Sequence, residues 1–224
     1  WLCSTNERIV PLTHYGYICA PQSSSKKIGD KKTREIVEGT LNRLIPYKVH
    51  EGTCREDNIM KVSKVLDVFE REKITCNHSF VLNEIVKYLM RNNMLPAICF
   101  VLSRKWVEKY AKEITISLFE KDSKAPSIVA KECEGILRKL PNYKEYTGLK
   151  EYRYLVNLLE KGIAVHHSGI VPVFREMVEI LFAKGYVKLL FATETFAVGI
   201  NMPTKTVIFT ALNKFSGNGM RDLL

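Results

Sequence analysis

From residue 97 onward the chain carries four short apolar runs, Ala97 to Leu102, Ile163 to Val165, Val187 to Phe191 and Thr206 to Ala211. They constrain the fold more than any other feature. A strand with one wet face alternates apolar and polar residues, whereas one buried on both faces is apolar throughout. The segments between the runs have helical spacing instead. Ser103 is placed to cap a helix carrying Trp106, Val107, Tyr110, Ala111, Ile114 and Leu118. Residues 127–140 and 150–161 read as further amphipathic helices. Pro172 starts another that reaches Ala183, with Phe174, Met177, Val178 and Leu181 inward. Strands alternating with helices predict an α/β fold, a parallel sheet with helices on both faces.

The first part of the chain reads differently. Residues 1–20 contain Ile9, Leu12, Tyr15 and Tyr17 around Pro11, expected as a strand or extended arm. Residues 21–93 read as a basic loop, from Pro21 to Lys32, followed by a helical elaboration. One helix is expected from Thr33 to Leu44, ended by Pro46, and a second from Asn58 to Glu72. A third carries Val81, Ile85 and Leu89, with Ser79 as its cap. The sheet core is expected over residues 94–224.

Composition narrows the function classes. A formal net charge of +10 over 224 residues favours a polyanionic partner, nucleic acid above all. No run approaches the roughly 20 apolar residues that span a bilayer, so no membrane partner is expected. The six cysteines are scattered without a C-x-x-C pair, which argues against a zinc site and for reduced thiols in an intracellular setting, nuclear or cytoplasmic. His166 and His167 lack a third ligand at metal-binding spacing, so no metal site is expected.

Chemistry-bearing residues gather where the apolar runs end. Val187 to Phe191 leads into Thr193 and Thr195, then Gly199, Asn201 and Pro203. A hydroxyl beside a helical turn suits a phosphate oxygen, because the turn's free N–H groups point the same way. The stretch Gly199 to Thr206, GINMPTKT, misses the phosphate-loop pattern by one residue, Thr204 standing where glycine is required. A strand also follows it where the pattern demands a helix, so it is not a phosphate loop. The run Ile163 to Val165 leads into His167, Gly169 and Arg175, and Ala97 to Leu102 leads into Ser103 and Arg104. In open α/β sheets ligands bind at the carboxyl ends of the strands. Three strand ends offering hydroxyl or cationic donors predict an edge that grips a phosphate backbone.

These stretches resemble the second RecA-like domain of a superfamily-two helicase, of the P-loop NTPase type. More narrowly they resemble the DExH-box RNA helicases of the superkiller and nuclear-exosome-cofactor family. LPAICFVLSRK, Leu95 to Lys105, resembles motif IV. GIAVHHSGIVPVFREMVEILFAKGYVKLLFATETFAVGINMPTKTVIF, Gly162 to Phe209, resembles motifs IVa and V almost without interruption. RIVPLTHYGY, Arg8 to Tyr17, resembles the stretch after motif III. The resemblance implies that Thr193 and Thr195 face the nucleic-acid backbone, and that Gly199 and Asn201 face the ATP cleft. It further implies that Ser103, Arg104, His167, Gly169 and Arg175 lie along the RNA path.

It also implies a motor that needs more than this chain. The phosphate loop, DExH box and motif III belong to a first RecA-like domain, and the arginine-rich motif VI would follow Leu224. No catalytic residue is therefore expected here, and the chain alone is expected to lack ATPase activity. ATP and Mg²⁺ would be held mainly by the first RecA-like domain of the same polypeptide. Single-stranded RNA would be moved 3′ to 5′ in RNA processing or decay, with an exosome-type complex as a partner. A DNA helicase of the same superfamily, or a non-catalytic RecA-like module binding RNA or protein, are the rival readings.

Overall fold

A computed structural model describes residues 11–49, 52–120, 122–197, 203–215 and 220–222. The chain divides into two compact units, Trp1–Tyr88 and Leu89–Leu224.

In the first unit, β1 (His14–Tyr17) pairs antiparallel with β2 (Leu44–Lys48). Helices α1 (Lys31–Thr40) and α2 (Glu56–Arg71) pack nearby, and α3 (His78–Arg91) follows. A local core joins Ala20, Ile28, Val37, Leu41, Val65, Val68 and Ile74. Three sequence expectations change here. The first helix stops at Thr40, and residues 44–48 form a strand containing Pro46 rather than a helix end. Proline is tolerated there because every strand of a two-stranded sheet is an edge. The cap of α3 is Asn77, whose Oδ1 accepts the Ser79 N–H at 2.9 Å, so Ser79 lies inside the helix. The segment expected as a basic loop, Pro21 to Lys32, contains a short 3₁₀ helix, Gln22–Lys27.

The second unit is built on four parallel strands, β3 (Ala97–Phe100), β4 (Ile163–His166), β5 (Leu189–Ala192) and β6 (Thr206–Phe209), in the order β4-β5-β3-β6. All residues of β4 and β5 are buried. Successive side chains point to opposite faces, so burial of every residue requires cover on both sides. That cover comes from α4 (Arg104–Glu113), α7 (Lys150–Leu159) and α8 (Pro172–Ala183), with α5 (Ala125–Leu137) packed on α7 and α8 and a short α6 (Tyr143–Gly148), which the spacing did not predict, beside α5 and α7. Helix α8 keeps its predicted limits, Pro at its first position and five buried apolar residues on its inner face. Gly162 and Gly185, both at φ +78°, let the chain leave α7 and α8 through a left-handed residue and turn into the next strand. A last hairpin pairs β7 (Asn213–Phe215) with β8 (Met220–Asp222).

Register fixes what the sheet offers. Phe100 lies beside Ala192 on one flank and Phe209 on the other, and His166 lies beside Ala192. The four strands therefore end level with one another, and whatever follows each of them emerges at one edge.

Candidate nucleic-acid interface

Backbone hydrogen bonds carry the alignment one residue past the strands. Val101 N–H donates to the Ala192 carbonyl at 2.9 Å, Thr193 N–H to that of His166 at 3.2 Å, and Thr210 N–H to that of Phe100 at 3.3 Å. The residues after β3, β4 and β5 are thus held side by side.

After β3 stands Ser103, the N-cap of α4 by position. Its side chain makes no capping hydrogen bond, and Arg104 and Lys105 in the first turn are exposed. Cations at a helix start oppose the helix dipole, which favours anions there. This arrangement suits an external anion better than it suits the helix.

After β4 stands a loop of five residues, 167–171, that enters α8. His167 is 3% exposed, and its Nδ1 accepts the Gly169 N–H at 3.1 Å. With Nδ1 accepting, the neutral ring carries its proton on Nε2, which lies 3.3 Å from Glu108 Oε1. That approach is too poorly aligned for a hydrogen bond, so the contact is one of charge and proximity. Burial pushes the His167 pKa down, with Glu108 opposing the shift and Arg104 and His166 reinforcing it, and the ring is neutral near pH 7. Ser168 and Gly169 are exposed. A Cβ on Gly169 would lie 3.1 Å from His167 Nδ1 and 3.5 Å from Arg104 Cδ, so the bare glycine lets the β3 and β4 ends approach.

His166 is also buried, and Glu179 from α8 meets its Nε2 at 2.7 Å. The Phe196 ring packs against it edge-on, with centroids 4.6 Å apart. Arg175, in the first turns of α8, keeps a buried Nε without a hydrogen-bond acceptor among the described residues. A buried guanidinium N–H lacking a protein acceptor is costly.

After β5 stands Thr193, 9% exposed, its hydroxyl 3.0 Å from that of Thr195. A short 3₁₀ turn, Glu194–Ala197, follows, closed by the Phe196 N–H donating to the Thr193 carbonyl at 3.1 Å. Thr195 is exposed. Gly199 and Asn201, assigned to the nucleotide side, lie outside the described residues.

The fold therefore brings Ser103, Arg104, His167, Gly169, Thr193 and Thr195 to one sheet edge, with Arg175 on the helix that leaves it. Sequence reasoning missed the carboxylates that hold this edge, Glu108, Glu151 and Glu179. Each meets its partner across a gap in sequence that no local pattern spans. Among the described residues, no group of three His, Cys, Asp or Glu could hold a metal ion, and no helix is long and apolar enough to cross a membrane.

Comparison with known proteins gives this geometry a family. The chain is 45% identical over 140 residues to the antiviral helicase SKI2 of Saccharomyces cerevisiae, covering 62% of this chain and 11% of that protein. It is 38% identical over 179 residues to the exosome RNA helicase MTR4 of Homo sapiens, 76% of this chain and 17% of the relative. An uncharacterized helicase of Schizosaccharomyces pombe, C17H9.02, is 34% identical over 221 residues, 98% of this chain and 20% of the relative. No family model matches the chain. The sheet and its relatives together define a RecA-like domain of the helicase C-terminal type. The chain belongs to the superkiller and exosome-cofactor family of DExH-box RNA helicases. It spans about a tenth to a fifth of the length of these three relatives.

Proposed function

We propose that this chain is the second motor domain of an ATP-dependent RNA helicase, and that its strand-end edge grips the phosphates of single-stranded RNA. The observation that carries this reading is the level register of β3, β4 and β5. It sets hydroxyl, guanidinium and backbone donors in a row, as a backbone-tracking groove requires. The exposed members, Arg104, Gly169 and Thr195, touch the strand. The buried ones, Thr193 and His167, hold them, Thr193 through the hydroxyl of Thr195 and His167 through the N–H of Gly169. Ser103, whose side chain makes no capping hydrogen bond, and Arg175, whose buried Nε has no acceptor among the described residues, complete the set. Contacts of this kind read no base sequence, so affinity depends on salt more than on sequence.

ATP and Mg²⁺ are the cofactors of this reading. When bound, ATP would close the two RecA-like domains on each other, and its hydrolysis would release them. Gly199 and Asn201 are the residues of this chain assigned to the cleft, and the first RecA-like domain of the same polypeptide supplies most of the remainder. RNA is moved 3′ to 5′, in processing or decay. One relative is named an exosome RNA helicase, which favours a place beside an exosome-type complex. The proposed division of the chain is an arm over 1–20, an elaboration over 21–93 and the motor core over 94–224.

The test is ATP hydrolysis and duplex unwinding by the full-length polypeptide on RNA and on DNA loading strands, for the wild type and Thr193→Val. RNA should stimulate turnover more than DNA, and loss of the Thr193 hydroxyl should weaken the stimulation. Equal or stronger unwinding from a DNA strand would establish the DNA helicase instead. No stimulation by either would leave a non-catalytic module.

A further inference from the structure

We propose that Glu108 is a positioning residue that locks the β3–α4 and β4–α8 strand ends into a single RNA-binding unit. The inference rests on the RNA reading above and assigns a role to a residue outside the resembling motifs.

Four residues form a closed circuit. Arg104 opens α4, and Glu108, four residues later, stands one turn behind it on the same side of the helix. Glu108 Oε1 approaches His167 Nε2 to 3.3 Å. His167 Nδ1 accepts the Gly169 N–H at 3.1 Å. The missing Cβ of Gly169 leaves the space that Arg104 Cδ borders, 3.5 Å from where that Cβ would stand. One helix therefore presents a cation at its first residue and, one turn on, orients the loop that lies beside that cation.

The far end of the same loop returns to the same helix. Glu151, from α7, accepts the Val171 N–H through Oε1 at 3.3 Å. Tyr154, one turn later on α7, donates its hydroxyl to the backbone carbonyl of Glu108 at 3.4 Å. One end of loop 167–171 is thus held by Glu151 from α7 while the other faces Glu108, and Tyr154 of α7 ties α7 to the backbone of Glu108.

A carboxylate near an RNA path would repel phosphate if its charge faced outward. Here Lys112 Nζ lies 3.8 Å from Glu108 Oε2 while Oε1 is turned to the buried imidazole. Glu108 is 42% exposed, so Lys112 rather than burial offsets its charge, while Oε1 approaches a ring whose Nε2 has no aligned acceptor among the described residues. A side chain that merely solvated the helix would pair with Lys112 one turn on but would not reach the imidazole that follows β4.

The experiment measures, in the full-length protein, the RNA concentration for half-maximal ATPase stimulation and the turnover at saturating RNA. Glu108→Ala should raise the half-saturating RNA concentration about tenfold, with saturated turnover within about twofold of wild type, since a misplaced contact weakens binding before chemistry. Glu108→Gln keeps the shape but removes the charge that faces the ring and, with no aligned hydrogen bond to carry the contact, should be impaired like the alanine variant. Glu108→Asp keeps the charge and the helix but retracts the carboxylate by one methylene, and should be impaired like the alanine variant. Because the Asp variant is mild, the test survives even if Glu108→Ala folds poorly. Wild-type half-saturation in Glu108→Gln or in Glu108→Asp overturns the inference. Arg104→Ala and Thr195→Ala serve as controls. If they weaken RNA half-saturation and the Glu108 variants do not, positioning by Glu108 fails alone; if they too leave it unchanged, the RNA reading itself fails.

Discussion

His166 Nε2 lies 2.7 Å from Glu179 Oε1, tying the last residue of β4 to the third turn of α8. The bond holds the element that delivers loop 167–171 against the helix that leaves it. Its partners differ in setting, since the imidazole is almost fully buried and the carboxylate is one-third exposed.

The first prediction concerns pH. Burial lowers the His166 pKa below its ordinary 6.5, and Glu179 pulls it partly back. An unfolded chain then binds a proton more readily than the folded one. The stability this ring contributes is present above pH 6.5 and is lost as pH falls below it. Glu179→Ala should remove about 1–3 kcal/mol at neutral pH by leaving a buried N–H unpaired. It should also make the acid loss larger, because the folded pKa falls further without the carboxylate. Urea denaturation of both proteins at about pH 7.5 and about pH 5.5 checks this; a smaller acid loss in the variant would refute it.

Gly169→Ala tests the close approach of the two strand ends. No left-handed backbone angle is involved, so the effect is steric, a methyl 3.1 Å from the His167 ring. The ring or the loop has to shift by a few tenths of an ångström. Half-saturating RNA should rise several-fold, up to about tenfold, while the melting temperature moves little. An RNA titration of the variant at wild-type values would show that the loop tolerates the shift.

Arg104→Ala should reduce the salt dependence of RNA affinity. Each phosphate neutralised on a single strand contributes about 0.7 to the slope of log affinity against log salt. Loss of one contact should lower the slope by about that amount, with affinity falling alike on unrelated sequences. Fluorescence anisotropy with two unrelated oligoribonucleotides across a salt series measures both effects. A sequence-dependent loss would point to base contact instead.

Cysteine alkylation tests the core. Cys99 and Cys133 are buried, and burial pushes both thiols up to about 12, so neither supplies thiolate at neutral pH. Cys54 is exposed. Brief iodoacetamide treatment followed by peptide mass analysis should modify Cys54 in the native protein, and Cys99 and Cys133 only after denaturation. Native labelling of Cys99 would contradict its place in the central strand β3.

The sequence by itself determined the elements of the sheet and where their chemistry emerges. The apolar runs at Ala97, Ile163, Val187 and Thr206 are strands within a residue or two, and α8 runs from Pro172 to Ala183 as its period and its proline require. These are local signals, because strand and helix periods are written into consecutive residues. Tertiary structure decided the rest. The order β4-β5-β3-β6 puts β5 beside β3 although a strand and five helices separate them in the chain. That choice depends on packing between distant segments, which no window of sequence contains. In the same way, His167, expected along the RNA path, is a buried ring in the fold. Glu108, unremarked in sequence, meets that ring because α4 packs against β4 and β5.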